Sequence, residues 1–442
     1  MQGIRFFAIL LVLAIGLAAP ARAVTLLRDP DIEHALRSLA APVLRAAGLA
    51  PERMDILVID EPSLNAFVLD ADTIFLHSGL ILRMKNAPML QSVIAHEAAH
   101  IANGHLMRRP VNLRNARTRA MLGTLLAGVA GAATGSGEFA AGAAAGLQGA
   151  AMRGFFAHTR AEENAADSSG MRFMHRAGID LSGAVQVMDL FRGQESLSLS
   201  RQDAYARTHP LSRDRFRRVR ALAEAQSDDV APDPQAEYWF HRAKGKLGAF
   251  QRSPKWTLTR AGESGHEDIR LMREAVAHHR QSDLRRALAA IDGAIARRPD
   301  DAYLHELRGQ ILMESRRIAP AVAAYARANE LAPGNPLILG AYGRALLADG
   351  QTAQAAQFLR SAHARDGRDV RVLRDLAQAE ARMGNRGMAS VVTAERYAMA
   401  GRLGDARIHA ERADALLPRG SPGWRRAQDI LAAVEAAENR RQ

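Results

Sequence analysis

The chain has 442 residues, 48% of them hydrophobic and 24% charged, which suits a folded protein of two or three domains and argues against wholesale disorder. It contains no cysteine, so disulfides, thiolate metal sites and cysteine nucleophiles are excluded. The charge of +12 rests almost wholly on arginine: four of the 59 basic residues are lysines, and no dense basic stripe with interleaved aromatics marks a nucleic-acid surface.

Arg5 precedes an uncharged run from Phe6 to Ala19, followed by Pro20 and the small-x-small triplet Ala21-Arg22-Ala23. That run is too short to span a bilayer comfortably, so residues 1–23 read as a signal peptide cleaved after Ala23. Residues 24–227 read as mixed α+β. Leu57-Val58-Ile59 predicts a strand, and the segment from Asn65 to Leu82 predicts two more around the turn Asp70-Ala71-Asp72. Asn65-Ala66-Phe67 is the candidate edge strand for an extended substrate.

A helix opened by Pro88 carries His96-Glu97-Ala98-Ala99-His100. Four residues turn a helix by about 400°, so both imidazoles leave one face and can share a zinc ion. Glu97 lies beside them, where it can take a proton from water. Zinc needs a third ligand. His105 is one candidate, but on a continuing helix it points about 140° away from His100, which suggests a supporting place behind the ligands. Glu163 is the other: Glu163 and Asp167 stand at i,i+4, so Glu163 could reach the metal while Asp167 orients a histidine from behind.

Between these motifs, residues 120–152 form an Ala/Gly-rich stretch too weakly apolar to insert in a membrane; peripheral contact is the most it suggests. His209 precedes Pro210, which biases its backbone away from helix. An imidazole there has two possible tasks, donating to a developing oxyanion or filling the fourth metal position as a latch, and the latch is the expectation.

Residues 226–236 have linker composition, and 228–268 read as a linker with a divergent helical segment containing Trp239 and Phe240. From 269 to 442 the chain repeats with a period of 34: Ala275, Gly309, Gly343 and Ala377 fall in one column, and Ala287, Ala321, Ala355 and Ala389 in another. Ser282, Arg316, Gly350 and Gly384 make a third, and Pro299, Pro333, Gly367 and Gly401 a fourth. Such a unit resembles the tetratricopeptide repeat, an α-solenoid whose inner face takes protein partners. The two halves are therefore expected to fold independently, so that removing 269–442 leaves an intact protease.

His96-Glu97-x-x-His100 with the later Glu163-x-x-Ala166-Asp167 resembles the gluzincin metallopeptidase family that includes HtpX and the CAAX-prenyl endopeptidases. With a signal peptide in front and repeats behind, the chain closely resembles its periplasmic BepA-type branch. The resemblance implies a mainly α architecture with a small α+β part, one Zn2+ per chain held by His96, His100 and Glu163, and Glu97 as base. Thr208-His209-Pro210 with Arg215 matches a further family segment beside the site. It also implies unfolded or misassembled outer-membrane proteins as substrates and docking of the repeats on the β-barrel assembly machinery. BepA-type chains can carry paired cysteines, and their absence here implies a less constrained hinge. A chaperone-like assembly factor with incidental proteolysis is the alternative.

Overall fold

The computed structural model describes residues 25–105, 160–194, 197, 201–210, 212–226 and 230–439. The leader and the Ala/Gly-rich stretch lie outside the described residues. The first half opens with a two-residue strand β1 (Leu26–Leu27) and helix α1 (Pro30–Ala46), whose Asp29 cap accepts from the Asp31 and Ile32 amides. Strands β2 (Asp55–Ile59), β3 (Ala66–Val68) and β4 (Thr73–His77) complete a four-stranded sheet ordered β1-β2-β4-β3. The β2–β4 pair is parallel and the other two pairings are antiparallel. Alternation divides β2: Ile56 and Val58 join the main core with α1, while Leu57 and Ile59 pack with Phe67 and Phe75 on the opposite face.

One expectation fails here. Ser78–Arg83 is a helix, α2, not the end of a strand. Short apolar runs such as Leu80-Ile81-Leu82 do not separate strand from buried helix by periodicity. Gly79 makes the turn into it possible, since a Cβ there would stand 2.0 Å from the Pro62 carbonyl oxygen.

Helix α3 (Ala87–Ala102) is the buried axis of this half. The Asn86 side chain caps it through the Met89 amide, and Pro88 sits in its first turn. Helix α4 (Arg160–Arg176) crosses α3 where Gly170 lies: a Cβ there would meet the Ala95 carbonyl and His96 nitrogen at 3.3 Å. Glu163, Asp167 and Gly170 share one face, so the glycine that allows close approach also brings both acids to His96. Helices α5 (Ser182–Leu190), α6 (Ala204–Thr208) and α7 (Arg213–Ala225) close this side.

Helix α8 (Pro234–Gln251) belongs to two cores. Ala236, Phe240, Ala243 and Leu247 pack with α1 and α3, whereas Tyr238 and Ala249 pack with Ile269 and Met272 of the repeats. A short helix α9 (Pro254–Thr259) follows, then five helix pairs: α10 (Glu267–Arg280) with α11 (Leu284–Arg297), α12 (Ala302–Glu314) with α13 (Ile318–Leu331), α14 (Pro336–Ala348) with α15 (Thr352–Arg365), α16 (Val370–Arg382) with α17 (Arg386–Met399), and α18 (Leu403–Leu416) with α19 (Pro422–Glu438). This is a helical-repeat solenoid. Its small-residue columns have distinct causes. A Cβ on Gly309 would meet the Tyr325 ring at 2.9 Å, and one on Gly343 would meet Leu359 at 2.7 Å, so these are helix crossings. Ser282, Arg316, Gly350 and Gly384 all have positive φ (60°, 59°, 85° and 82°), so that column marks the left-handed residue ending each first helix. In the fourth pair Ala377 and Ala389 are only half-buried, and the pattern loosens.

The halves do not meet across a bare linker. Arg242 of α8 is buried with its Nε donating to Asp31 Oδ1 at 2.6 Å and its Nη2 to Asp301 Oδ1 at 2.9 Å. Lys246 Nζ stands 3.0 Å from Asp29 Oδ2 and 3.8 Å from Glu306 Oε2. Arg28 pairs with Asp366, and Arg368 with Asp55. Ion pairs thus constrain the joint that carries no disulfide.

Candidate metal centre

His96 and His100 leave α3 together, their Nε2 atoms 3.1 Å apart. From α4, Glu163 places Oε2 at 3.4 Å from His96 Nε2 and Oε1 at 3.4 Å from His100 Nε2. His209, the cap residue ending α6, brings Nδ1 to 3.1 Å from Glu163 Oε1 and 3.2 Å from His96 Nε2. All four side chains are buried and are grouped so that they could hold one metal ion. A tetrahedral ion with ligand bonds of about 2.0–2.1 Å has ligand–ligand edges of about 3.3–3.4 Å. The separations here, 3.1–3.4 Å, fit that figure.

The electrostatics fit a cation as well. Burial opposes charge on His96, but Asp167 and Glu163 outweigh it and push the imidazole up to about 10. Burial likewise opposes charge on Glu163, yet His209, His100 and His96 hold its carboxyl well below the ordinary range. The cluster therefore demands positive charge, which a metal ion supplies.

Behind these groups stands a second layer. Asp167 Oδ1 lies 3.0 Å from His96 Nδ1, and Arg215 clamps both oxygens of Asp167 at 2.7 and 2.8 Å. Arg215 also reaches Glu163 Oε2 at 2.7 Å and donates to the Pro210 carbonyl at 2.8 Å, tying α4 to the turn beside His209. The helix carrying His105 does not continue. It ends at Ala102, Gly104 turns the chain at φ 66°, and His105 Nδ1 returns to 2.9 Å from His100 Nδ1. If His100 binds through Nε2, its Nδ1–H donates to His105, which then holds its own proton on Nε2.

Glu97 is fully buried, and its Oε1 lies 3.4 Å from His209 Nε2. That same ring nitrogen is 3.3 Å from the carbonyl oxygen of Ala66. Thr208 Oγ1 donates to Asn65 Oδ1 at 3.1 Å, so the His209 turn is fastened to the start of β3. Strand β3 is at the sheet edge, with Asn65, Ala66 and Phe67 all buried. Tyr205 escapes a reading based on motifs. Its ring stacks on His209 at 4.6 Å and on Phe191 at 4.9 Å, fixing the imidazole plane. The signal was its place one helical turn before His209.

Residues 27–223 match peptidase family M48. The chain is 26% identical over 391 residues to the Beta-barrel assembly-enhancing protease of Escherichia coli K12, covering 86% of this chain and 78% of that one. A Putative beta-barrel assembly-enhancing protease of Vibrio cholerae is 28% identical over 221 residues, 49% of this chain and 44% of its own. The Mitochondrial metalloendopeptidase OMA1 of Schizosaccharomyces pombe is 28% identical over 201 residues, 45% of this chain and 55% of its own. With two α3 histidines, a carboxylate from α4 and a glutamate beside them, residues 27–223 form a peptidase family M48 domain, and the protein is a metallopeptidase.

Proposed function

We propose that this chain is an exported zinc endopeptidase, one Zn2+ per chain, that cleaves unfolded or misassembled outer-membrane proteins in the periplasm. Its repeats would dock the β-barrel assembly machinery, a partner the relatives' printed names support. The observation that carries the reading is the convergence of His96, His100 and Glu163 on one point, with buried Glu97 beside it. Zinc bound there would polarise the peptide carbonyl and lower the pKa of water. Glu97 takes the proton of the attacking water and passes it to the leaving amine. Asp167, Arg215 and His105 hold the ligand side chains in place from behind.

His209 would act as the latch: its Nδ1, 3.2 Å from His96 Nε2 and 3.1 Å from Glu163 Oε1, would join the residues that hold the ion in the resting enzyme. Because its Nε2 also covers the Ala66 carbonyl, withdrawal of one ring frees both a metal position and a backbone acceptor on β3. The strand Asn65-Ala66-Phe67 then pairs with extended substrate through main-chain bonds, which suits unrelated unfolded sequences. His209→Ala should keep its metal and cleave a loose substrate at least as fast as the parent. A drop of about a hundredfold in kcat with metal retained would assign the ring to transition-state stabilisation instead.

Metal analysis of purified protein, with casein digestion with and without chelator, tests the reading. Zinc far below one per chain, or digestion indifferent to chelator, contradicts it. Export with cleavage after Ala23 predicts a mature chain beginning at Val24 by mass spectrometry. Among the described residues no helix is long and apolar enough to cross a membrane. A chaperone-like role is the second reading, favoured by five helix pairs beyond the peptidase domain. It requires that a hydrolysis-dead variant still rescue assembly.

A further inference from the structure

A cavity of about 100 Å3 lies where the start of α1 and β2 meets two turns of the repeats, with Arg28, Arg37 and Asp55 on one wall and Arg365, Asp366 and Arg368 on the other. With Glu33, four guanidinium groups face three carboxylates. Those carboxylates are already engaged. Arg28 binds Glu33 and Asp366, each at 2.6 Å, while Arg368 binds Asp55 and reaches Asp366 at 3.3 Å.

Donors remain. Arg28 has a side chain only 8% exposed, and its Nη1 has no hydrogen-bond partner among the described residues; Arg37 holds Nη2 at 3.7 Å from Asp55 Oδ1, but its buried Nε has no hydrogen-bond partner there either. Arg365 holds no carboxylate among the described residues; its Nη1 donates only to Ser361. Unused buried donors carry a desolvation cost that a bound acceptor removes. His34 adds no charge, since burial holds its imidazole below the ordinary value. One positive charge is left over, in a polar space the size of a small ion and fed from two walls.

We propose that this cavity binds one small oxyanion of the phosphate class, held by Arg28, Arg37 and Arg365, and that the ion fastens the repeats to the peptidase domain. Donors lining both walls suit a tetrahedral ion better than a planar carboxylate, and the volume leaves little room for a large substituent. An ion contacting both halves binds only the docked arrangement, so it must raise the stability of that arrangement.

The test uses the full-length, metal-loaded protein titrated with inorganic phosphate in place of chloride at constant ionic strength. Calorimetry should give one saturable site, and the unfolding temperature should climb with phosphate. Acetate and glycerol phosphate should act more weakly. The double variant Arg37→Gln/Arg365→Gln should bind phosphate about tenfold or more weakly, as expected when charge-assisted donors are lost. Its melting in chloride reports whether it folds. Should it not fold, Arg365→Gln alone, at an exposed side chain, must still melt cooperatively in chloride and show a weakened phosphate effect. No saturable phosphate effect in the parent overturns the proposal, as does an equal effect in the variants or a stronger response to acetate.

Discussion

The metal centre and the domain junction both bury charge, but they close it differently. In the metal centre three imidazoles and a carboxylate turn toward one point, and Asp167, Arg215 and His105 brace them from behind. At the junction the charges face one another: Arg242 and Lys246 are enclosed by Asp29, Asp31, Asp301 and Glu306. The first cluster is built around an added cation. The second is completed by the docking of two halves, and it makes that docking part of the fold. Removing 269–442 would strip Asp301 from the buried guanidinium of Arg242, so the repeats are not a detachable arm.

Breaking the junction gives the largest expected change in stability. Arg242→Met leaves Asp31 and Asp301 without their guanidinium, and such one-sided losses cost about 3–5 kcal/mol. Denaturant unfolding of the full chain measures it. A change below about 1 kcal/mol would mean that water compensates these acids.

At the metal centre, His105→Ala removes the partner of His100 Nδ1. Metal affinity should fall about tenfold to hundredfold in a chelator competition while the apo protein stays folded. Unchanged affinity would make His105 a packing residue.

The smallest effect sharpens the comparison through pH. Burial, with Asp29 and Asp31 nearby, outweighs Lys246 and pushes the Glu306 carboxyl up to about 7. The folded pKa lies above the unfolded one, so between roughly pH 4.5 and 7 the unfolded state binds fewer protons and stability falls as pH rises. Glu306→Gln should therefore raise the unfolding temperature at pH 8 and leave it nearly unchanged at pH 5. A loss of stability at pH 8 would show the ionised Glu306–Lys246 pair to be favourable.

Legibility followed sequence distance. His96 and His100 are one helical turn apart, as are Glu163 and Asp167, and helix geometry alone puts each pair on a face. The repeat columns were legible too, although the positive φ of Ser282 and Arg316 shows that one column records backbone handedness rather than close packing. The junction was not legible. Arg242 meets Asp31 across 211 positions and Arg28 meets Asp366 across 338, and no local pattern announces such pairs. The lack of cysteines pointed to a less constrained hinge and the composition of 226–236 to a linker, whereas helix α8 is shared by both cores. Tyr205 was missed for a related reason: an aromatic one turn before a histidine reads as core until its ring is found stacked on that histidine.

Hydrolysis depends most on Glu97 acting as a proton carrier beside a bound metal. Hydrolysis of an unfolded substrate by Glu97→Gln, with metal content determined on the same sample, tests this most directly. The variant should hold about one metal ion per chain and hydrolyse about 10²–10⁴-fold more slowly, the usual range for a lost general base. Full metal content with hydrolysis within a few-fold of the parent would contradict it.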